Sequence, residues 1–247
     1  MAAKANRTRK AKAPDGKEGQ FRPLLWIRRW TFRLVGGFAV LTLLFVTMFS
    51  WVNPPTTPYM FSEGRRLDGL TREWVSMEEI APVMARAAVA AEDANFCRHW
   101  GLDLTAIRAA MSEGGQRGGS TISQQVVKNV FLWHGRSYTR KALEAMLTPV
   151  MEAIWTKRRI LEVYLNVAEF DEGVFGVEAA AQHYYGISAL DLSATQAGLL
   201  AALLPSPKTR SASNPSGYMR ERGQQIVDGA ATIERDGRAA CFEATSG

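Results

Sequence analysis

The feature that most constrains this chain is an uncharged apolar run at residues 34–52, LVGGFAVLTLLFVTMFSWV. Its 19 residues would span roughly 28 Å as a helix, close to the thickness of the hydrocarbon layer of a bilayer. Trp30 and Trp51 flank the run, where interfacial aromatic side chains are expected. The alternative is a cleaved signal peptide, but the run is too long, starts too late and ends in WVNPP rather than in a small-residue cleavage site. We therefore predict a retained transmembrane helix.

Positive charge is concentrated before this run. Ten of the 30 Lys and Arg residues lie in residues 1–33, together with only two acids, so this basic tail has a net charge of +8. Since the whole chain has a net charge of +6, the remaining residues have a net charge of −2. Because basic flanks of a membrane span stay in the cytoplasm, we expect a cytoplasmic tail, a single-pass anchor, and the remaining residues beyond the membrane. The basic balance belongs to the tail, so no nucleic-acid partner is expected for the folded part.

The residues after the anchor favour a mainly α domain without internal repeats. Residues 53–75, which begin with NPPTTP, are predicted to form an extended linker with short strands, and a strand or hairpin is expected at 61–74. Residues 76–236 are predicted to form the domain, and 237–247 a C-terminal tail without obvious structure. Caps and apolar periodicity predict seven helices. The first, at 81–91, is opened by a Ser76–Glu79 capping box, and the second begins at Asp103 with Leu104, Ile107 and Met111 on one face. The others begin at Ser120, run from Thr139 through 165 with a kink at Pro149, and lie at 178–185, 193–204 and 216–234.

Two adjacent acids, Glu92 and Asp93, end the Ala-rich helix at 81–91. A helix of small apolar residues that places carboxylates in its last turn indicates positioned rather than solubilising charges. Two adjacent helical residues cannot both face one cleft, so we interpret Glu92 as the reactive acid and Asp93 as a structural acceptor. His99 follows at a short offset; without a partner at metal-ligand spacing, it is interpreted as a packed, hydrogen-bonded residue.

A glycine-led segment at 118–129, GGSTISQQVVKN, favours an anion site. Glycines allow close approach of the backbone, and the start of the following helix offers free N–H groups and a positive dipole end. Ser120, Gln124 and Lys128 are four residues apart and so fall on one helical face, with Gln125 beside Lys128. The alternative is an ordinary helix cap with a solvated polar face.

Arg140, Lys141 and Glu144 form a second charged group. The simplest interpretation is a surface ion pair between residues one turn apart. The functional interpretation gives both cations to phosphate oxygens and turns Glu144 towards the reaction centre. Glu92 and Glu144 would then be two carboxylates on different helices beside an anion site, an arrangement suited to sugar chemistry.

The chain contains two cysteines, Cys97 and Cys241. They could pair in an oxidising compartment, but Cys241 falls in the segment predicted to be a loose tail. Their spacing carries no zinc signature, so we expect two unpaired thiols.

Four motifs, in order, resemble those of the family 51 glycosyltransferases, which build the glycan strands of bacterial peptidoglycan. They are Glu92-Asp93-x-x-Phe96-x-x-His99-x-Gly101, GGSTISQQVVKN at 118–129, Arg140-Lys141-x-x-Glu144, and Lys157-x-x-Ile160-Leu161-Glu162-x-Tyr164-Leu165-Asn166. Residues 166–175 and 214–219 further resemble the monofunctional biosynthetic transglycosylases. The S-x-x-K and K-T-G motifs of a transpeptidase do not occur in the sequence.

The resemblance implies a lysozyme-like, mostly helical fold and a role for each matching residue. Glu92 matches the general base that deprotonates the 4-hydroxyl of the GlcNAc of lipid II. This hydroxyl attacks C1 of the MurNAc of the growing chain, with inversion and release of undecaprenyl diphosphate. Glu144 matches the second glutamate, on the diphosphate side, where a divalent cation (Mg²⁺ or Mn²⁺) is one option. Lys128 and Arg140 match the cations that hold the diphosphate, and Ser120, Gln125 and Lys141 lie on the corresponding face.

The supporting residues carried over with these motifs are Asp93, Phe96, His99, Gly119 and Thr121. The implied partners are lipid II, the nascent lipid-linked chain, the bacterial inner membrane, and proteins of the division or elongation machinery. The implied location of the domain is the periplasm.

Two other functions remain open from the sequence. A lysozyme-like hydrolase or lytic transglycosylase would share the fold and an acid, but would have no use for Lys128 and Arg140 beside a glycine loop. A membrane-anchored scaffold would keep its acids for structure alone.

Overall fold

The structure, a computed structural model, describes residues 23–105, 108, 119–135 and 137–243. This part of the chain is mainly helical, which confirms the predicted fold class. Its helices and strands are α1 (Pro23–Phe49), α2 (Pro58–Arg66), β1 (Thr71–Arg72), α3 (Pro82–Glu92), α4 (Ile122–Phe131), α5 (Tyr138–Glu152), α6 (Lys157–Val167), β2 (Glu169–Asp171), β3 (Val174–Phe175), α7 (Val177–Tyr185), α8 (Ala194–Leu203) and α9 (Gly217–Arg235).

Helix α1 contains most of the predicted apolar run and begins before it, at Pro23. Among the described residues, it is the one helix long and apolar enough to cross a membrane. The chain divides into two units between Leu44 and Phe45. The last turn of α1 belongs to the second unit, where the indole N–H of Trp155 donates to the carbonyl of Val46 at 2.7 Å.

Part of the segment predicted as a strand or hairpin is helical. Thr57 caps α2 by accepting from the N–H of Met60 at 3.1 Å, and Pro58 occupies the first helical position, where its missing N–H has no cost. This Thr-Pro pair is a helix-start signal. Only β1 is extended there, and it pairs in parallel with β3, which is antiparallel to β2.

Two predicted caps were misplaced. Glu79 accepts from the N–H of Ser76 at 2.9 Å, but this pair opens a single 3₁₀ turn, and α3 starts at Pro82 because Pro favours the first helical position. The predicted helix through 165 is two helices. Ser137, rather than Thr139, caps α5, and Thr156 caps α6. Pro149 lies inside α5.

The helix predicted from Asp103 falls largely outside the described residues. Asp103 accepts from the N–H of Thr105 at 2.9 Å, as an N-cap does. Ile107, Met111 and the glycines before Gly119 are outside the described part, so the expectations for them stay predictions.

Helices α3, α8 and α9 pack against one another and fix the end of α3. Helices α8 and α9 approach closely at Gly198 on α8, where an added Cβ would lie 2.6 Å from the carbonyl oxygen of Gly223 on α9. Helix α4 packs against α5 and α6. The helices that contact α3 most are thus different from those that contact α4 most.

The prediction of two unpaired thiols is wrong. Cys97 and Cys241 form a disulfide that joins positions 144 residues apart, with Cα atoms separated by 5.7 Å. The residues before and after Cys241 are not loose either, since Ala239 and Phe242 are buried. Sequence spacing carries no information about such a long-range contact.

Candidate active site

Glu92 is the last residue of α3, at the point where the helix gives way to a loop. The amide of Gln125 on α4 donates to its carboxylate at 2.7 Å. Burial raises the pKa of Glu92 above its ordinary value, against the opposing effects of the Gln125 bond and of Lys128. A carboxylate with a raised pKa is a better proton acceptor, which suits a general base.

Asp93 joins the loop to the start of α4. One carboxylate oxygen accepts from the N–H of Ile122 at 3.0 Å, and the other lies 2.8 Å from Nε2 of His99. Asp93 therefore satisfies one of the free N–H groups at the start of α4. Asp93 and His99 are thus hydrogen-bonded to each other, and the structural roles expected for them stay predictions.

Phe96 and Gly101 complete this loop. Phe96 is fully buried. Gly101 has φ +81°, and an added Cβ would meet Thr148 at 2.5 Å, so only glycine fits. The hydroxyl of Thr121 donates to the carbonyl of Gly101 at 2.6 Å, which ties this loop to the segment that contains Gly119 and Ser120.

The start of α4 differs in one respect from the sequence interpretation. Thr121 is the N-cap, and it forms a capping box with Gln124, whose side chain is buried and accepts from the N–H of Thr121 at 3.1 Å. Gln124 is thus occupied by the helix end and does not share a polar face with Ser120 and Lys128. Of the two adjacent glutamines, Gln124 and Gln125, it is Gln125 that donates to Glu92.

Arg140, Lys141 and Glu144 form a network at the start of α5. Glu144 is 2% exposed, so the surface ion pair considered from the sequence does not describe it. Arg140 donates to one of its carboxylate oxygens at 2.7 Å, and Lys141 pairs with the other. Lys141 also donates to the hydroxyl of Ser120 at 3.1 Å, which links the network to the segment before α4.

Lys128 interacts electrostatically both with Glu92 and with the Arg140–Lys141–Glu144 network. Burial lowers its pKa below the ordinary value, and the charges of Glu144, Arg140 and Glu92 all act on it. The Lys128 ammonium is partly buried and feels the charges of two acids and two further cations, so it is incompletely solvated, and a bound anion would stabilise its charged form. The structure therefore brings Glu92, Lys128 and Glu144 together.

The residues around Glu144 do not fit a directly bound divalent cation. Both of its oxygens already accept from cations, and Lys128 adds a third positive charge nearby. A second group that could be considered for a metal ion consists of Asp93, His99 and Asp103, whose potential ligand atoms lie within 4.8 Å of one another. Its carboxylates accept from protein donors at Ile122, Asn95 and Thr105.

A cavity of about 190 Å³ adjoins Gln125 and Lys128 and includes residues that sequence reasoning missed. These are Tyr59, Asn129, His134, Tyr164, Val167, Ala168, Glu169, Leu204 and Pro207. His134 stacks on Tyr59 with ring centroids 3.6 Å apart, and Tyr59 donates to Glu169 at 2.6 Å. Burial lowers the pKa of His134 to about 4, so this ring is neutral at physiological pH. Tyr164 and Asn129 fall inside the four motifs, and Val167, Ala168 and Glu169 fall inside the 166–175 stretch, but none of the five was singled out from the sequence.

Comparison with known proteins shows the family to which the chain belongs. The transglycosylase family model matches residues 62–231. A biosynthetic peptidoglycan transglycosylase of Jannaschia sp. (strain CCS1) is 60% identical over 216 residues, covering 87% of this chain and 90% of that protein. Those of Pseudomonas fluorescens (strain SBW25) and Caulobacter vibrioides are 47% and 46% identical, covering 83% and 79% of this chain and 89% and 87% of those proteins. The chain belongs to the transglycosylase family and is a biosynthetic peptidoglycan glycosyltransferase.

Proposed function

We propose that this glycosyltransferase polymerises lipid II by inverting transfer of the growing lipid-linked chain to the GlcNAc 4-hydroxyl of the next lipid II. The observation that supports this most strongly is the grouping of an acid and cations: Glu92, with a raised pKa, lies near Lys128, which in turn interacts with Arg140 and Glu144. A general base and an anion site side by side are what attack on a glycosyl diphosphate requires.

Glu92 is assigned the proton transfer. Its carboxylate accepts the proton of the acceptor 4-hydroxyl while the oxygen forms a bond to C1 of the MurNAc. The bond between C1 and the diphosphate oxygen breaks, and the electron pair leaves with undecaprenyl diphosphate. The configuration at C1 changes from α to β. The bond from Gln125 orients the carboxylate for this step.

Lys128, Arg140 and Lys141 are assigned to the departing diphosphate. Negative charge grows on its oxygens as the C1–O bond breaks, so fixed cations stabilise the transition state more than the ground state. Glu144 holds Arg140 and Lys141 from opposite oxygens, and Ser120 gives Lys141 a second contact. In this assignment Glu144 positions the cations, and no step is assigned to a metal.

The proposed location follows from the anchor and the charge of the tail. Helix α1 is consistent with a single-pass membrane anchor, and the basic residues before it favour a cytoplasmic N-terminus. The domain would then lie in the periplasm.

The test is product formation by the purified full-length protein. Given labelled lipid II in detergent, it should form polymer and release undecaprenyl diphosphate, and isolated sacculi should remain intact. Solubilised fragments of sacculi with no consumption of lipid II would indicate a hydrolase or lytic enzyme instead. A well-folded preparation that changes neither substrate would favour a scaffold and contradict the proposal.

A further inference from the structure

The C-terminal segment, residues 237–243, lies against the loop that follows Glu92. Helix α9 ends at Arg235, and Gly237, with φ +72°, allows the chain to turn back. The segment then runs through Ala239 and Phe242, which are both buried. It lies outside the match to the family model, which ends at residue 231.

Three contacts join this segment to consecutive parts of the loop. The guanidinium of Arg238 donates to the carbonyl of Ala94 at 2.9 Å. The ring of Phe242 lies 6.3 Å from that of Phe96, centroid to centroid. Cys241 is bonded to Cys97, the residue after Phe96. The loop is therefore held by a hydrogen bond, an aromatic contact and a covalent bond within four residues.

The contacts reach Glu92 through a short stretch of backbone. The N–H of Phe96 donates to the carbonyl of Asp93 at 2.9 Å, and the N–H of Asp93 donates to Val89 at 2.9 Å, so the turn from α3 to Cys97 is closed. On its other side the loop bonds to the start of α4 through Asp93 and Gly101, and the ammonium of Lys157 lies 4.4 Å from the centre of the Phe96 ring. A shift of Cys97 would thus be passed to the residue beside the general base.

The segment is itself fixed to the core of the domain. Arg158 on α6 donates to the carbonyl of Phe242 at 2.9 Å, and Arg86 on α3 pairs with Glu243 at 2.6 Å. Residues 237–243 are therefore bonded to two helices of the domain, α6 and α3. The disulfide connects this segment directly to the loop.

We propose that residues 237–243 are a positioning element for the general-base loop and that the Cys97–Cys241 disulfide is required for full turnover. This rests on the function proposed above. Forming the bond removes two protons and two electrons from the two thiols, and a disulfide oxidant takes them up by thiol–disulfide exchange. Reduction by dithiothreitol reverses this and leaves the reagent as its cyclic disulfide.

The experiment compares oxidised wild type, wild type reduced with dithiothreitol, and a Cys97→Ser/Cys241→Ser double variant. All are assayed on lipid II at a temperature where circular dichroism shows each to be folded. We expect the reduced enzyme and the double variant to show a kcat lower by about 10- to 100-fold, as for a small displacement of a catalytic group. KM should change by less than about 2-fold, since the cation site is untouched. Dithiothreitol should have no effect on the double variant.

The pH profile separates positioning from simple stabilisation of the fold. Displacement of the loop would hydrate Glu92, so the acid limb of the kcat profile should move to lower pH in the reduced enzyme. Arg238→Gln, which keeps the disulfide, should lower kcat in the same direction. Its matched control is Arg235→Gln, whose side chain contacts Thr232 on its own helix.

Equal kcat for oxidised and reduced wild type, with both thiols shown to be free by alkylation, would overturn the inference. So would a double variant that differs only in melting temperature, or that dithiothreitol slows as much as it slows the wild type. Polymerisation that is independent of thiol state would leave the proposed function intact. Failure of the oxidised wild type to polymerise lipid II would instead contradict the proposed function.

Discussion

Lys157→Met is expected to destabilise the domain strongly because it leaves a buried carboxylate without its counter-charge. Lys157 pairs with Glu152 at 2.7 Å, and their side chains are 13% and 2% exposed. Breaking a buried pair from one side costs about 3–5 kcal/mol, whereas an exposed pair contributes about 0–1 kcal/mol. For a chain of this size, we expect a loss of roughly 6–20 °C in melting temperature.

The assay is thermal unfolding of detergent-solubilised protein followed by circular dichroism. Adding Glu152→Gln to Lys157→Met removes the stranded charge, so the double variant should be more stable than Lys157→Met alone, with a coupling above about 1 kcal/mol. The control is Glu78→Gln, which breaks the more exposed pair with Arg158. If Lys157→Met cost no more than this control, the reasoning from burial would be refuted.

Three further predictions concern packing, pH and the cation network. Gly198→Ala should cost about 1–3 kcal/mol in a thermal melt, because its Cβ would meet backbone, whereas Gly217→Ala enters open space and should be neutral or stabilising; equal melts would contradict this. Since burial raises the pKa of Glu92 and only the deprotonated base is active, polymerisation should fall as pH drops through a value above 4.5; a limb below 4.5 would contradict it. Glu144→Gln should lower kcat/KM by about 10- to 100-fold in steady-state assays by releasing Arg140, and an unchanged value would exclude that role.

The sequence predicted those parts of the fold that local patterns determine. The Ser193 and Ser216 caps and the apolar spacing after them predicted α8 and α9 to within a residue at each end. The start of α4 was misjudged although its pattern was available: Thr121 followed three residues later by Gln124 is a capping-box signature. This signature would have predicted that the Gln124 side chain bonds to the N-cap of α4, so that Gln125 is the glutamine available to Glu92.

The rest of the site depends on contacts between distant residues, for which a single sequence gives no signal. Tyr59 and Lys208 converge on Glu169 from opposite ends of the domain, and neither lies in a recognisable motif. The pairing of Cys97 with Cys241 is of the same kind. Motif order predicted the reacting groups, which stay predictions, whereas the contacts of α9 and the segment after it could be found only in the structure.

The most direct test of the account is to separate lipid II binding from turnover in Glu92→Gln. The substitution keeps the size of the side chain and removes the proton acceptor, so we expect lipid II binding to stay within about 3-fold of wild type while the single-turnover rate falls by about 10²- to 10⁴-fold. Glu221→Gln, at an exposed position on α9, is the matched control and should behave as wild type. A Glu92→Gln enzyme that is folded, binds lipid II and polymerises it at the wild-type rate would contradict the assignment of the general base.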